Sequence, residues 1–197
     1  MPATAASMSL AEQKRTATRQ RIAAAAAKLV ADVGLAGATV DRIADAAGIG
    51  RATFFRYFNS KEDAVAEGMN VHWLNRITSA LAAQPDHLTA LEAVAAAFGD
   101  LALGFSEIED QVRELGTLTR SSETLEAWNL HIYVRYEAAI AELIAPRLPE
   151  LAPQDPQHRL IGALAMAAVR IALDDWLSEG GSLPDRVRHG LAAITIA

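Results

Sequence analysis

Apolar residues along this chain recur with the period of an α-helix, and no stretch alternates apolar and polar residues as a half-buried strand does. Ile22, Ala26 and Val30 share one helical face in the first such run, which ends at Gly34. Glycine and proline mark the ends of the runs rather than interrupting them. The chain is therefore predicted to be all-α, with about nine helices.

Helix start signals divide the chain into these segments. Ser9 with Glu12, and Ser60 with Asp63, have the three-residue spacing of a capping box, and Thr39 is placed to cap a short second helix. Later segments are longer and are predicted at about Asp86–Phe105, Glu107–Leu118, Glu123–Ala145, Pro156–Leu177 and Pro184–Ile194. Asp155 and Ser182 are the expected caps of the last two.

The composition excludes a secreted or membrane-embedded protein. The 197 residues include no cysteine, so no disulfide scaffold is available. The most apolar stretch, residues 160–173, contains Arg170 and is shorter than the roughly 20 residues that cross a bilayer. Residues 1–8 lack the pattern of a signal peptide. A cytoplasmic location without membrane association is expected.

Charge is unevenly distributed between the two ends of the chain. Residues 1–61 contain 9 basic and 4 acidic side chains, a balance of +5, whereas the whole chain has a formal charge of -6. The remaining residues therefore carry -11. A basic end attached to an acidic body indicates that the first 61 residues are suited to contact a polyanion such as DNA.

Residues 39–61, TVDRIADAAGIGRATFFRYFNSK, have the pattern of a helix-turn-helix. Ala44 is small enough for close helix crossing, and Gly48 four residues later permits a tight turn. Phe54 and Phe58 are one helical turn apart and are expected to form the apolar wedge together with Ile43 and Ile49.

The opposite face of the third helix is expected to point outward. Arg51 with Phe55, and Ala52 with Arg56, form two pairs spaced four residues apart on that face. An arginine near the start of such a helix can donate to O6 and N7 of guanine together, while Ala52 and Phe55 suit a thymine methyl group. This surface is predicted to enter the major groove of double-stranded DNA.

Residues 19–69 resemble the DNA-binding domain of the TetR family of transcriptional repressors. The resemblance is carried by the TVDRIADAAGI and TFFRYFNSKED segments, and it implies that bases are met by Arg51, Ala52 and Arg56. The residues it implies as phosphate contacts are Thr53, Tyr57, Lys61, Thr39 and the backbone of Val40. Arg42, Gly50 and Phe55 complete the candidate DNA-binding set. Gly50 and Phe55 depart from the family pattern, which often has a Ser or Thr cap and a tyrosine there.

A flexible tail is expected over 1–12. The resemblance implies a helix-turn-helix domain over 13–60 and a helical ligand-binding and dimerisation domain over 61–197. The last two long helices, rich in small residues, are expected to form the homodimer interface. The candidate ligand-binding residues are Trp73, Phe98, Phe105, Trp128, His131, Met166 and Arg170. The body is also similar to a branch with mycofactocin-system and acyl-coenzyme A responsive regulators, which implies an apolar or acyl-type small-molecule effector.

Two other functions are alternatives to a ligand-released repressor that binds a palindromic operator. An enzyme is disfavoured because the chain has no thiol, no paired metal-binding histidine motif and no phosphate-binding glycine loop. No cofactor or metal is expected. A helix-turn-helix protein that binds DNA without responding to a ligand remains open on sequence alone.

Overall fold

A computed structural model describes residues 9–121 and 123–195, except for the side chains of Thr124 and Trp128. Within these residues the chain forms nine α-helices and no strand, which confirms the predicted all-α class. The helices are α1 Leu10–Gly37, α2 Val40–Ala46, α3 Arg51–Phe54, α4 Lys61–Ala82, α5 Ala90–Ala102, α6 Glu109–Leu118, α7 Glu123–Ile144, α8 Pro156–Glu179 and α9 Leu183–Ala192. Short 3-10 turns follow α5 and α7 at Phe105–Glu107 and Ala145–Arg147.

Helix α1 begins as predicted but does not end at the predicted residue. Ser9 caps it, with Glu12 completing the capping box. Gly34 adopts a left-handed φ of 72°, which kinks the helix, and helical structure then resumes to Gly37. Glycine adopts this φ without steric cost, so the break at Gly34 was foreseeable, but the extra turn was not. Residues 1–8 of the predicted tail lie outside the described residues.

The chain divides into two compact units, 1–71 and 72–197, with the boundary inside α4. In the first unit, Ile22, Ile43 and Phe54 are fully buried between α1, α2 and α3. Gly68 of α4 lies directly against the backbone of Ala23 of α1, because a Cβ atom there would stand only 2.0 Å from the Ala23 carbonyl oxygen. This close crossing holds α1 and α4 together.

In the second unit, α8 is the central helix. Its buried residues Ala165, Met166 and Trp176 pack in one core with Val94 of α5 and Ile140 of α7. Gly162 allows α7 and α8 to approach closely, because an added Cβ would lie 2.4 Å from the Glu137 carbonyl oxygen. Gly162, one of the small residues of α8, therefore serves helix packing within one subunit.

The predicted boundaries of the later helices are partly wrong. Helix α5 begins at Ala90 rather than Asp86, because Thr89 and Glu92 form a capping box at that position. Asp155 and Ser182 cap α8 and α9 as predicted, each through its side chain. Among the described residues, no helix combines the length and apolar character needed to span a membrane.

Candidate nucleic-acid interface

A tight turn built on glycine joins α2 to α3. Gly48 has a left-handed φ of 64°. Its N–H donates to the Asp45 carbonyl at 3.0 Å, and the N–H of Ile49 donates to the Ala44 carbonyl at 3.0 Å. Since other residues rarely adopt this φ, the turn depends on glycine. The geometry is that of the predicted helix-turn-helix.

Buried phenylalanines fix the orientation of α3. Phe54 and Phe58 are 0% and 3% exposed, and their ring centroids are 5.8 Å apart. Tight backbone hydrogen bonds continue the helical path beyond α3, with the Tyr57 and Phe58 N–H groups both donating to the Phe54 carbonyl. Gly50 caps α3 through its backbone alone, as expected where the family often has Ser or Thr. Phe54 and Phe58 therefore fix the orientation of residues 51–58, which we call the recognition segment.

The opposite face of this segment is open to solvent. Arg51, Ala52, Phe55 and Arg56 are exposed, whereas Thr53 and Tyr57 are partly buried at its flanks. Phe55 keeps 46% of its surface exposed, which is unusual for an aromatic residue of this size. The arrangement combines two cations with apolar surface, the chemistry that suits base edges and thymine methyl groups.

Arg51 has two neighbours on this surface. Its Nη1 donates to Oδ1 of Asp41 at 2.7 Å, across the turn. Its guanidinium also lies 5.4 Å from the centroid of the Phe55 ring. The first residue of α3 is therefore held in one direction by a carboxylate and an aromatic face, although both charged side chains remain more than half exposed.

Two of the predicted phosphate contacts, Thr39 and Val40, lie at the N-terminus of α2. Thr39 caps the helix by accepting a hydrogen bond from the Arg42 N–H at 3.3 Å. The Arg42 Nη1 donates to the Gly37 carbonyl at 3.0 Å, and Val40 is partly buried. Backbone N–H groups at a helix N-terminus attract anions, so this end of α2 has the chemistry of a phosphate contact.

Lys61 lies at the start of α4 and is partly buried. Its Nζ donates to the Leu35 carbonyl at 2.8 Å, which ties α4 to the kinked end of α1. An ammonium group has three N–H donors, so this bond does not exclude a phosphate. The side chain has a structural role in addition to the predicted one.

The candidate ligand-binding residues belong to the second unit and only partly share one region. Trp73, Phe98 and Phe105 pack around the core that contains Met166. Arg170 is partly buried, 3.5 Å from the Asp174 carboxylate. His131 is not brought to this core: it is exposed, with Nδ1 2.8 Å from the Ala127 carbonyl of its own helix. The Trp128 side chain lies outside the described residues.

A polar cluster links α7 and α8 with the segment after α6. The Arg120 Nε donates to Oδ1 of Asp174 at 2.7 Å, and Arg120 also contacts the phenol of Tyr133. Burial raises the pKa of both Tyr133 and Tyr136. A phenol is neutral at physiological pH even at its ordinary pKa of about 10, and burial reinforces that state. Such groups orient ligands by hydrogen bonds rather than by charge.

Sequence models of two protein domains match the chain in separate regions. The model described as "Bacterial regulatory proteins, tetR family" matches residues 22–67. The model described as "MftR C-terminal domain" matches residues 88–196, more than half of the chain. The chain belongs to the TetR family. These matches confirm the resemblance seen in the sequence. The chain is a transcriptional regulator with a ligand-binding C-terminal domain, not an enzyme.

Three solved structures share the fold of this chain. Thermus thermophilus FadR, a TetR-family repressor in complex with lauroyl-CoA, is 21% identical, with a TM-score of 0.65 over 88% of this chain and 91% of that chain. The fatty acid degradation regulator FadR from Bacillus halodurans is 20% identical, with a TM-score of 0.54 over 89% and 93%. SmeT in complex with triclosan is 18% identical, with a TM-score of 0.53 over 90% and 91%. No curated protein sequence matches the chain.

Sequence reasoning on this TetR-family chain missed two residues of the interface. Arg19 of α1 donates from Nη1 to the Tyr57 carbonyl at 2.7 Å and from Nε to the Glu67 carboxylate at 2.8 Å. Its guanidinium also lies 4.4 Å from the centroid of the Phe58 ring. The second residue is Asp41, in the first turn of α2, which bonds to Arg51. Neither partnership has a local spacing signal, because the partners are 10 to 48 residues apart.

Proposed function

We propose that this chain is a one-component, ligand-responsive repressor that binds a palindromic operator as a homodimer and is released by a small apolar effector. The observation that carries the DNA-binding part is the exposed face of α3, with Arg51 and Arg56 held outward by the buried Phe54 and Phe58. The domain assignment of the sequence analysis, DNA binding over 13–60 and regulation over 61–197, is part of this proposal.

In the proposed complex, base and phosphate contacts have different roles. Arg51, Ala52, Phe55 and Arg56 meet base edges in the major groove, where the choice of sequence is made. The phosphate contacts, which position the protein, are Thr39, Val40, Thr53, Tyr57 and Lys61, and Arg42 and Gly50 are further DNA-binding candidates. Phosphate contacts contribute affinity for any DNA and make binding sensitive to salt.

The test of this division is a selection of binding sites from random duplex DNA with the purified chain. A palindrome is expected, with half-sites about 34 to 36 Å apart. Arg51→Ala should then lose about 1–3 kcal/mol at one base pair of each half-site, whereas Lys61→Ala should weaken binding to all sequences and reduce the salt dependence. Equal losses from both variants on every sequence would refute the division, and binding without any preferred sequence would refute the operator.

The homodimer is supported by an apolar face on α8. Leu160, Leu164 and Ile171 are 54%, 41% and 51% exposed. Leu164 and Ile171 border a groove of about 700 Å³ between α8 and α9, which small residues such as Ala168 and Gly190 also line. A large apolar face of this kind is suited to burial against a second subunit. Among the candidate ligand-binding residues whose side chains the structure describes, none lines this groove.

Charge insertion tests the dimer interface. Ile171→Glu should shift the chain from dimer to monomer in sedimentation or light-scattering measurements, because a carboxylate would be buried without a partner. Leu103→Glu is the matched control, since Leu103 is 76% exposed and lies outside α8 and α9. A dimer that persists in the Ile171 variant would place the interface elsewhere.

The effector is proposed to bind in the core region around Trp73, Phe98, Phe105 and Met166, with Trp128, His131 and Arg170 as further candidates. Support comes from the match to the MftR C-terminal domain and from similar folds that hold lauroyl-CoA or triclosan. Shifting a dimer population from 99:1 to 1:99 needs about 5.5 kcal/mol of differential affinity. Because α4 contains residues of both units, the response is proposed to pass through it.

Titration of the operator complex with acyl-coenzyme A thioesters of increasing chain length tests the response. Release that strengthens with chain length is expected if apolar burial drives it. Unchanged operator affinity with every apolar compound would instead identify a DNA-binding protein that does not respond to a ligand.

A further inference from the structure

The carboxylate of Asp41 is placed to control the direction of the Arg51 side chain. Asp41 lies in the first turn of α2 and Arg51 is the first residue of α3, so the pair spans the turn of the helix-turn-helix. The Arg51 Nη1 donates to Oδ1 of Asp41 at 2.7 Å, and the guanidinium plane is flanked by Phe55 at 5.4 Å. One N–H group of the Arg51 guanidinium bonds to Asp41, while its other N–H groups remain for a ligand.

The pair contributes little to folding. The side chains of Arg51 and Asp41 are 58% and 68% exposed, and ion pairs this exposed contribute little because water and salt screen them. The carboxylate also lies in the turn of α2 that begins at Thr39, where the proposed complex needs a phosphate. An acid at that place repels DNA, so its consequence is expected in DNA binding rather than in stability.

We infer that Asp41 is a specificity-determining positioning residue, which fixes the orientation of the Arg51 guanidinium beside Phe55 on the exposed face of α3 and weakens attraction to DNA in general. Recognition of guanine by two parallel hydrogen bonds depends on the orientation of the planar guanidinium. Without Asp41, Arg51 is able to rotate toward the phosphate backbone, where it binds any sequence. The inference rests on the proposed function, because it assigns a role within the same DNA-binding surface.

Asp41→Asn tests the inference, with Asp45→Asn as the matched control. Both substitutions remove one exposed carboxylate from α2, but only Asp41 contacts Arg51. Both variants should bind random DNA more tightly at low salt. A bidentate contact provides roughly 5- to 150-fold discrimination between base pairs. Asp41→Asn alone should lower the discrimination at the base pair read by Arg51 by about 3- to 10-fold. Circular dichroism should show unchanged folding in both.

A double variant separates positioning from direct contact. In an Arg51→Ala background, adding Asp41→Asn should change base preference no further, because the two residues act as a unit. A further change at a different base pair would mean that Asp41 itself reads DNA, and it would overturn the inference. Unchanged discrimination in Asp41→Asn, or the same loss in Asp45→Asn, would overturn it as well.

The wild-type chain distinguishes the inference from the proposed function. If wild type selects a palindrome while Asp41→Asn keeps its full preference, only the role of Asp41 fails. If wild type selects no sequence, the proposed operator binding fails, and the role of Asp41 fails with it.

Discussion

Gly68→Ala is expected to destabilise the first unit, which contains the helix-turn-helix, because Gly68 lies where α1 and α4 cross. An added methyl group would stand 2.0 Å from the carbonyl oxygen of Ala23 and 2.9 Å from Cβ of Ala27. Contacts of a Cβ atom under 3.0 Å are essentially not observed. The obstacle at Ala23 is backbone, so the two helices must separate by roughly 1 Å, as in other overpacked interiors.

The expected cost follows from two opposing effects. Overpacking a close contact typically costs about 1–3 kcal/mol, and a backbone obstacle places Gly68 at the upper end of that range. Replacing glycine by alanine inside a helix returns about 0.5–1 kcal/mol. The net destabilisation should therefore be roughly 1–2.5 kcal/mol, which corresponds to a fall in Tm of several degrees in a chain of this size.

Thermal unfolding followed by circular dichroism measures this loss, and hydrogen exchange localises it. Amides of α1 and of the start of α4 should exchange faster in the variant. Operator affinity should also fall, because Arg19 ties α1 to Tyr57 and Lys61 ties α4 to the end of α1. Gly99→Ala is the matched control: Gly99 lies within α5, and apart from its own helix backbone and chain neighbours no atom lies within 4 Å of an added Cβ, so the variant should gain about 0.5–1 kcal/mol. A Gly68 variant as stable as wild type would refute the close crossing.

Three further perturbations have defined outcomes. Arg19→Gln should destabilise the first unit by about 1–2 kcal/mol, since it removes the pair with the largely buried Glu67; a Tm equal to that of wild type would contradict this. Gly48→Ala should cost about 1–2 kcal/mol and weaken DNA binding, because alanine is strained at a φ of 64°. The pKa of Glu92 is lowered by hydrogen bonds from the backbone and side chain of Thr89. The stability that the Glu92 carboxylate contributes to the folded chain is therefore complete above its pKa in the unfolded chain, and it is lost as pH falls through its pKa in the folded chain. Glu92→Gln should therefore be less stable than wild type at pH 7, and this difference in Tm should vanish in acid.

The sequence predicted most of the fold, because the features involved are local. Helical periodicity, a capping residue such as Ser9 or Asp155, and a turn glycine such as Gly48 all act within one or two helical turns. Their outcome therefore depends little on distant parts of the chain. The start of α5 was missed although its signal is also local, since Thr89 and Glu92 form a capping box.

The outward face of α3 was also available from the sequence. Phe54 and Phe58 are one turn apart, so burying them leaves Arg51 and Arg56 exposed on the other side. A pattern of this kind defines the orientation of a short helix once one face is apolar. The basic first 61 residues and the acidic remainder were also distinguishable from the sequence, because formal charge is a sum over residues along the chain.

Only the tertiary structure decided which side chains meet across the chain. It pairs Asp41 with Arg51, joins Arg19 to Glu67 and Phe58, and places His131 away from the core of the second unit. These partnerships depend on how helices cross, and a crossing is set by the summed packing of many residues rather than by any local spacing. Sequence alone therefore determined the helices and their apolar faces, whereas the positions of the charged groups on the DNA-binding surface required the folded chain.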